Sequence, residues 1–254
     1  MAYQTIPPSS GGACASDPWG DEAAAFVAEK VPTLVSVVFR NKCETVFAVG
    51  GAAGGGAQSL ERAAVSGSGA DAAVDITKNG GVIKFTTGTT GGSFRVVRNM
   101  NGVAAAGLRS DFVSNIRTQK IAIVIRILMD APTSTCDFEM IKITDEATAN
   151  AEVLLRALGS TSTTNWALTV GSAATVELAG ATLPTVAFET LALILDGTNV
   201  TLWNVDTGLQ LGASQAQVTA GTVAGHLAML ATNSAAANKN VWIDDVVVIT
   251  EPAA

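Results

Sequence analysis

The chain has 254 residues, 48% of them hydrophobic and 15% charged, with a formal net charge of −7. Its length fits one large β domain or a domain with an appendage, and the composition supplies ample material for a core. The charged share lies well below the roughly 25% of ordinary soluble domains. The surface therefore rests on Thr, Ser, Asn, Gly and Ala, as where copies of the chain or a larger assembly cover it.

The charge is unevenly spread. Residues 78–126 carry eight basic side chains against the single acid Asp111, whereas residues 127–254 carry three against thirteen. Such a bipolar surface suits docking onto an oppositely charged neighbour. The basic residues are dispersed, with only Phe85, Phe94 and Phe112 among them, which argues against nucleic-acid binding. Cys14, Cys43 and Cys136 show no CxxC spacing and no histidine cluster, against a disulfide framework or a zinc site. Met1 opens no secretory signal, no apolar run reaches the about 18 residues of a membrane span, and folding in a reducing cytoplasm is expected.

Residues 1–18 read as an extended arm in which Pro7-Pro8 favours polyproline II. Asp17-Pro18 is an N-cap followed by proline at the first helical position, predicting a helix over Trp19–Lys30. Trp19, Ala23, Phe26, Val27 and the stem of Lys30 share one face, which must lie on the chain's own domain or on another chain.

Strands are predicted at Leu34–Phe39 and Thr45–Val49, and the glycine run 50–56 lacks the Gly-Lys-Ser/Thr ending of a phosphate loop. Ala73–Thr77 and Val82–Thr86 flank an Asn-Gly hairpin tip, a Gly-Thr loop spans 86–92, and Phe94–Arg98 is again a strand. Ile121–Met129 is nearly all apolar, as a strand buried on both faces would be. Asp137–Thr144 alternates, with Phe138, Met140 and Lys142 on one face and Asp137, Glu139, Ile141 and Ile143 on the other. A helical turn is read at 145–150, then strands at Val153–Leu158, Asn165–Val170 and Thr175–Leu178.

The last quarter holds strands at 186–195, 199–205, 225–230 and 240–249, the first two joined by Asp196-Gly197-Thr198. Many short strands with little helix imply an all-β sandwich or barrel.

The strand Leu191–Leu195, its Asp196-Gly197-Thr198-Asn199 turn, Val200–Val205 ending near Asp206-Thr207-Gly208, and the closing Trp242–Val248 resemble concanavalin A-like lectin/glucanase jelly rolls. The resemblance implies an antiparallel jelly-roll β-sandwich whose last strand returns beside the chain's start. The expected division is an arm and helix over 1–33, a strand pair and Gly-rich linker over 34–66, and the sandwich over 67–254.

The family's enzymes imply paired carboxylates on one strand. Asp137 and Glu139 come nearest, although Lys142 stands where a third carboxylate is wanted. Its lectins imply calcium beside a sugar cleft, to which Asp244 or Asp245 would give one ligand. Trp19, Trp166, Trp203, Trp242 and Tyr3 are the aromatics able to stack on sugars, and His226 has no identifiable nucleophile partner. The favoured expectation is no catalytic residue, no metal and no cofactor.

By layout the chain resembles bacteriophage virion accessory proteins of the capsid-decoration or fibre type. This implies a virion protein made in the host cytoplasm, a homotrimer attached to a major capsid or tail protein, with neither nucleic acid nor membrane as partner. Tyr3, Ile6, Pro7, Pro8, Trp19 and Phe26 are the expected contacts. The alternatives are a carbohydrate-binding module for host-surface glycans and, more distantly, a glycan-cleaving enzyme using Asp137 and Glu139.

Overall fold

The computed structural model describes residues 18–41, 59–78, 82–99, 115–144, 151–221, 226–233 and 238–252. The expected contacts Tyr3, Ile6, Pro7 and Pro8, the cap Asp17, the strand 45–49, the glycine run 50–56 and the turn 145–150 lie outside them. The described residues form helix α1 (Pro18–Lys30) and strands β1 (Ser36–Asn41), β2 (Ser59–Asp75), β3 (Val82–Asn99), β4 (Ile121–Met129), β5 (Cys136–Thr144), β6 (Ala151–Leu158) and β7 (Asn165–Val170). They continue with β8 (Val176–Thr182), β9 (Glu189–Leu195), β10 (Asn199–Asn204), β11 (Leu209–Ala216), β12 (His226–Asn233) and β13 (Asn240–Thr250). β11 is not among the expected strands, although Leu209 and Leu211 alternate with Gln210 and Gly212 at its start.

The strands are antiparallel and run β11-β10-β9-β4-β13-β3-β12-β5-β6-β7-β8, with β1 added to β13 and β2 to β3. The ladder folds back so that its two halves face each other across one core. Ile121, Ile123, Ile125, Ile127, Leu191 and Leu193 from the first half meet Phe138, Leu155, Trp166 and Leu168 from the second. Each such side chain contributes roughly 1.5–3 kcal/mol by leaving water. At the far edges β11 comes against β8, so closely that a Cβ on Gly212 would stand 2.7 Å from Cβ of Leu178. The fold is an all-β, antiparallel jelly-roll sandwich.

β3 belongs to both halves, since Ile83–Thr86 pair with β13 and Gly92–Val97 with β12. The Gly-Thr stretch expected as a loop is strand. β2 pairs along it, Thr89 opposite Ser68 and Thr87 opposite Ala70, so cross-strand pairing carries the strand through this stretch. β1 pairs with the end of β13, so the closing strand lies beside the start of the described chain.

β4 is buried on both faces, as expected. Its even-numbered positions Ala122 and Val124, with Ala192, Ile194, Val247 and Ile249, form the seat of α1, whose Ala23, Phe26 and Val27 pack onto them. The helix therefore lies on its own domain. Small residues at 122 and 192 let it approach closely.

Asp196 shapes the β9–β10 turn by accepting from the backbone N–H groups of Thr198 and Asn199 at 2.8 and 2.7 Å. Gly197 adopts φ 91°, the left-handed region that favours glycine.

Candidate functional site

Two outer faces gather polar side chains. The first lies on the β4–β13–β3 part of the first sheet, beyond the area covered by α1. Alternation along β13 sends Val241 and Ile243 into the core and turns Trp242 outward. Register sets Trp242 between Lys84 of β3 and Leu128 of β4.

The indole is half-buried, and its N–H donates to Asp75 Oδ2 at 2.9 Å. Asp75 also accepts from the backbone N–H of Thr77 at 3.0 Å and from the Thr77 hydroxyl. The Thr77 hydroxyl first, and the indole second, hold the Asp75 carboxyl below its ordinary range. The ammonium groups of Lys78 and Lys84 stand 4.8 and 5.7 Å from the centre of the Trp242 ring.

One row along, Asn240 donates through Nδ2 to Asp130 at 2.7 Å and accepts from the Thr86 hydroxyl at 3.0 Å. On the other side Arg126 pairs with Asp244, Nε to Oδ2 at 3.3 Å, and its guanidinium lies 5.9 Å from the centre of the half-buried Phe188 ring. Asp244, one of the two aspartates that a lectin-type calcium site would draw on, pairs with this arginine. Among the described residues no three His, Cys, Asp or Glu side chains converge as a metal site would need.

The second face is the outer side of β5 and β6. A bulge between Glu139 and Ile141 shifts the alternation, so Met140, Ile141 and Ile143 all enter the core. Lys142 therefore leaves the face on which it was expected and joins Asp137 and Glu139, bonding Glu139 at 3.0 Å. Arg156 grips Asp137 with two nitrogens, Nε at 3.0 Å from Oδ1. Burial pushes the Asp137 carboxyl upward, more than Arg156 pulls it down. This is a mutually neutralised set of partly buried charges, with the two carboxyls two residues apart on one strand.

Of the remaining candidates, Phe26 is buried edge-on against Trp203, ring centres 6.3 Å apart at 69°, beneath Lys30. Trp19 packs at the border of the same cluster. Trp166 is wholly buried in the main core. His226 pairs in register with Thr144. Trp203 and Trp242 both keep a partly open ring beside a lysine, but Trp203 carries Phe26 of α1 against it, whereas Trp242 stands among polar groups. The sequence marks it as a stacking candidate but holds no sign of Asp75, Lys78 or Lys84 as its neighbours.

No known protein-family model and no curated protein sequence matches the chain. Solved structures do resemble it. The alginate lyase AlyC3 superposes with a TM-score of 0.50 at 6% identity, over 70% of this chain and 78% of its own. An alginate lyase from Corynebacterium sp. gives 0.48 at 12% identity, over 70% and 80%. A carbohydrate esterase from the Shiga toxin-encoding bacteriophage phi24B gives 0.45 at 15%, over 77% and 91%.

The likeness to AlyC3 shows a shared jelly-roll fold. It also corrects one expectation. No catalytic set stands out in the sequence, which leads to the expectation of no enzymatic activity, yet the fold is one that an alginate lyase uses. The fold is no ground for setting catalysis aside.

Proposed function

We propose that the chain is a glycan-directed jelly-roll module that holds carbohydrate on the outer face of its first sheet, with Trp242 as the stacking surface. The observation that carries this reading is the half-open indole, locked by Asp75 and ringed by Lys78, Lys84, Leu128 and the Asn240–Asp130–Thr86 network. An apolar ring face beside fixed donors and acceptors matches the alternating C–H and hydroxyl surfaces of a sugar. The jelly-roll fold shared with an alginate lyase agrees with it. The test is a glycan array on the full chain. Retained glycans should be lost with Trp242→Ala and kept with Asp137→Asn/Glu139→Gln; retention of no glycan would refute the reading.

A second reading, glycan cleavage at Asp137 and Glu139, is favoured by the raised Asp137 carboxyl beside a second carboxyl on one face. Release of oligosaccharides from a polysaccharide panel, lost in Asp137→Asn/Glu139→Gln, would support it; release unchanged in that variant would sink it.

With either reading we propose attachment to a phage particle as a homo-oligomer through the arm. Because α1 covers core of its own sheet, the informative truncation removes residues 1–17 and spares the helix. Particle attachment should be lost and glycan binding kept; attachment without the arm would overturn the proposal.

A further inference from the structure

We infer that the Trp242 site selects glycans bearing a carboxylate, with Lys78 and Lys84 as the recognition groups. The inference rests on the glycan-binding reading and adds the ligand's charge to it.

The lysines differ in how they are partnered. Lys30, Lys120 and Lys142 reach Glu29, Glu251 and Glu139 at 2.8, 3.2 and 3.0 Å. Lys78 and Lys84 have no carboxylate within ion-pair distance among the described residues, although both stand around one indole. Asp75 lies beside them, but its Oδ2 receives the indole N–H and its Oδ1 receives the N–H and hydroxyl of Thr77. The neighbouring cation, Arg126, is held by Asp244.

The site therefore carries two like charges around one ring in a chain whose 22 acids outnumber its 15 bases. Their mutual repulsion is only partly offset by the ring, because each cation–π contact is weak at a half-open position, and by Asp75, which brings one negative charge against two positive ones. A sugar lying over Trp242 and Leu128 would displace both ammonium groups from the ring face. A neutral sugar would leave the single Asp75 carboxylate, already bound to Thr77 and the indole, to offset two positive charges. A carboxylate at the sugar's edge would receive them both, and their flexible stems need turn only about their terminal bonds. The same two lysines thus oppose a neutral ligand and favour an acidic one.

The test pairs acidic oligosaccharides with counterparts whose carboxyls have been reduced to alcohols, titrated calorimetrically against the full chain and Lys78→Gln/Lys84→Gln. Two partly exposed ion pairs predict a preference of about tenfold for the acidic member. It should shrink as salt is raised, and fall to about twofold or less in the double variant without weakening the neutral member. Equal affinity of the wild type for both members would overturn the inference while leaving glycan binding intact. So would a preference that survives the double variant. Binding of neither member would refute the glycan reading as well.

Discussion

Trp242 in β13 and Asp75 at the end of β2 are joined by one hydrogen bond, indole N–H to carboxylate at 2.9 Å, across 167 residues of chain. The bond sets the orientation of the ring. Asp75→Ala should leave the fold intact but free the indole, lowering glycan affinity about tenfold, the scale of one hydrogen bond to a charged group. The Asp75 carboxyl is held down by the Thr77 hydroxyl and the indole, so its contribution is complete above the unfolded carboxylate pKa and is lost as pH falls through the lower folded value. The Trp242 indole signal in a nitrogen–proton correlation spectrum should stay fixed down through the ordinary carboxylate range and shift only below it. An identical shift in Asp75→Asn would disprove the assignment.

Asp137 should show the opposite sign. Burial raises its folded pKa, so its contribution to stability is present below the unfolded value and lost as pH rises through the folded one. Asp137→Asn should remove that slope from urea denaturation measured across the acid range. Asp137→Ala leaves the Arg156 cation, 18% exposed in its side chain, without its carboxylate. Stability should fall by about 2 kcal/mol, less than a fully buried pair would cost.

Gly159 follows β6 where the chain turns back against residues 133–136, its N–H donating to the Cys136 carbonyl at 3.0 Å. A Cβ there would sit 1.7 Å from the Thr133 carbonyl oxygen, which is backbone and has little room to move. Gly159→Ala should lower stability by about 3 kcal/mol or more, read as a drop in the thermal midpoint. A shift within error would mean that the 133–136 turn moves aside.

Phe26 anchors α1 on Ala192 and Val124, with Trp203 at its edge. Phe26→Ala should cost about 3 kcal/mol, as other large-to-small core changes do. Lys30→Ala, which removes the cation above both rings, should cost about 1 kcal/mol or less. Chemical denaturation of the two variants separates seating of the helix by burial from seating by charge.

Much of the architecture is legible in the order of the residues. The 3–4 spacing of Ala23, Phe26 and Val27 marks the helix face that is buried, and the apolar run 121–129, interrupted only by Arg126, marks the strand with a covered outer side. The Asp196-Gly197 turn stands where expected. Expectations fail where a local rule is overruled from a distance. Pairing with β2 makes the Gly-Thr stretch a strand, and one bulge moves Lys142 to the opposite face.

By itself the sequence determined that the chain is β-rich, where the Asp196-Gly197 turn falls and which face of α1 is buried, because alternation, helical spacing and turn chemistry act over a few residues. The tertiary structure alone decided which polar groups meet. Asp75, Lys84, Leu128 and Trp242 come from four strands, and their meeting depends on the registers of β2 with β3, β3 with β13 and β13 with β4. A register slip of one residue would turn a strand's outward side chains to the other face. The site is thus a product of long-range pairing, and no local pattern in the chain encodes it.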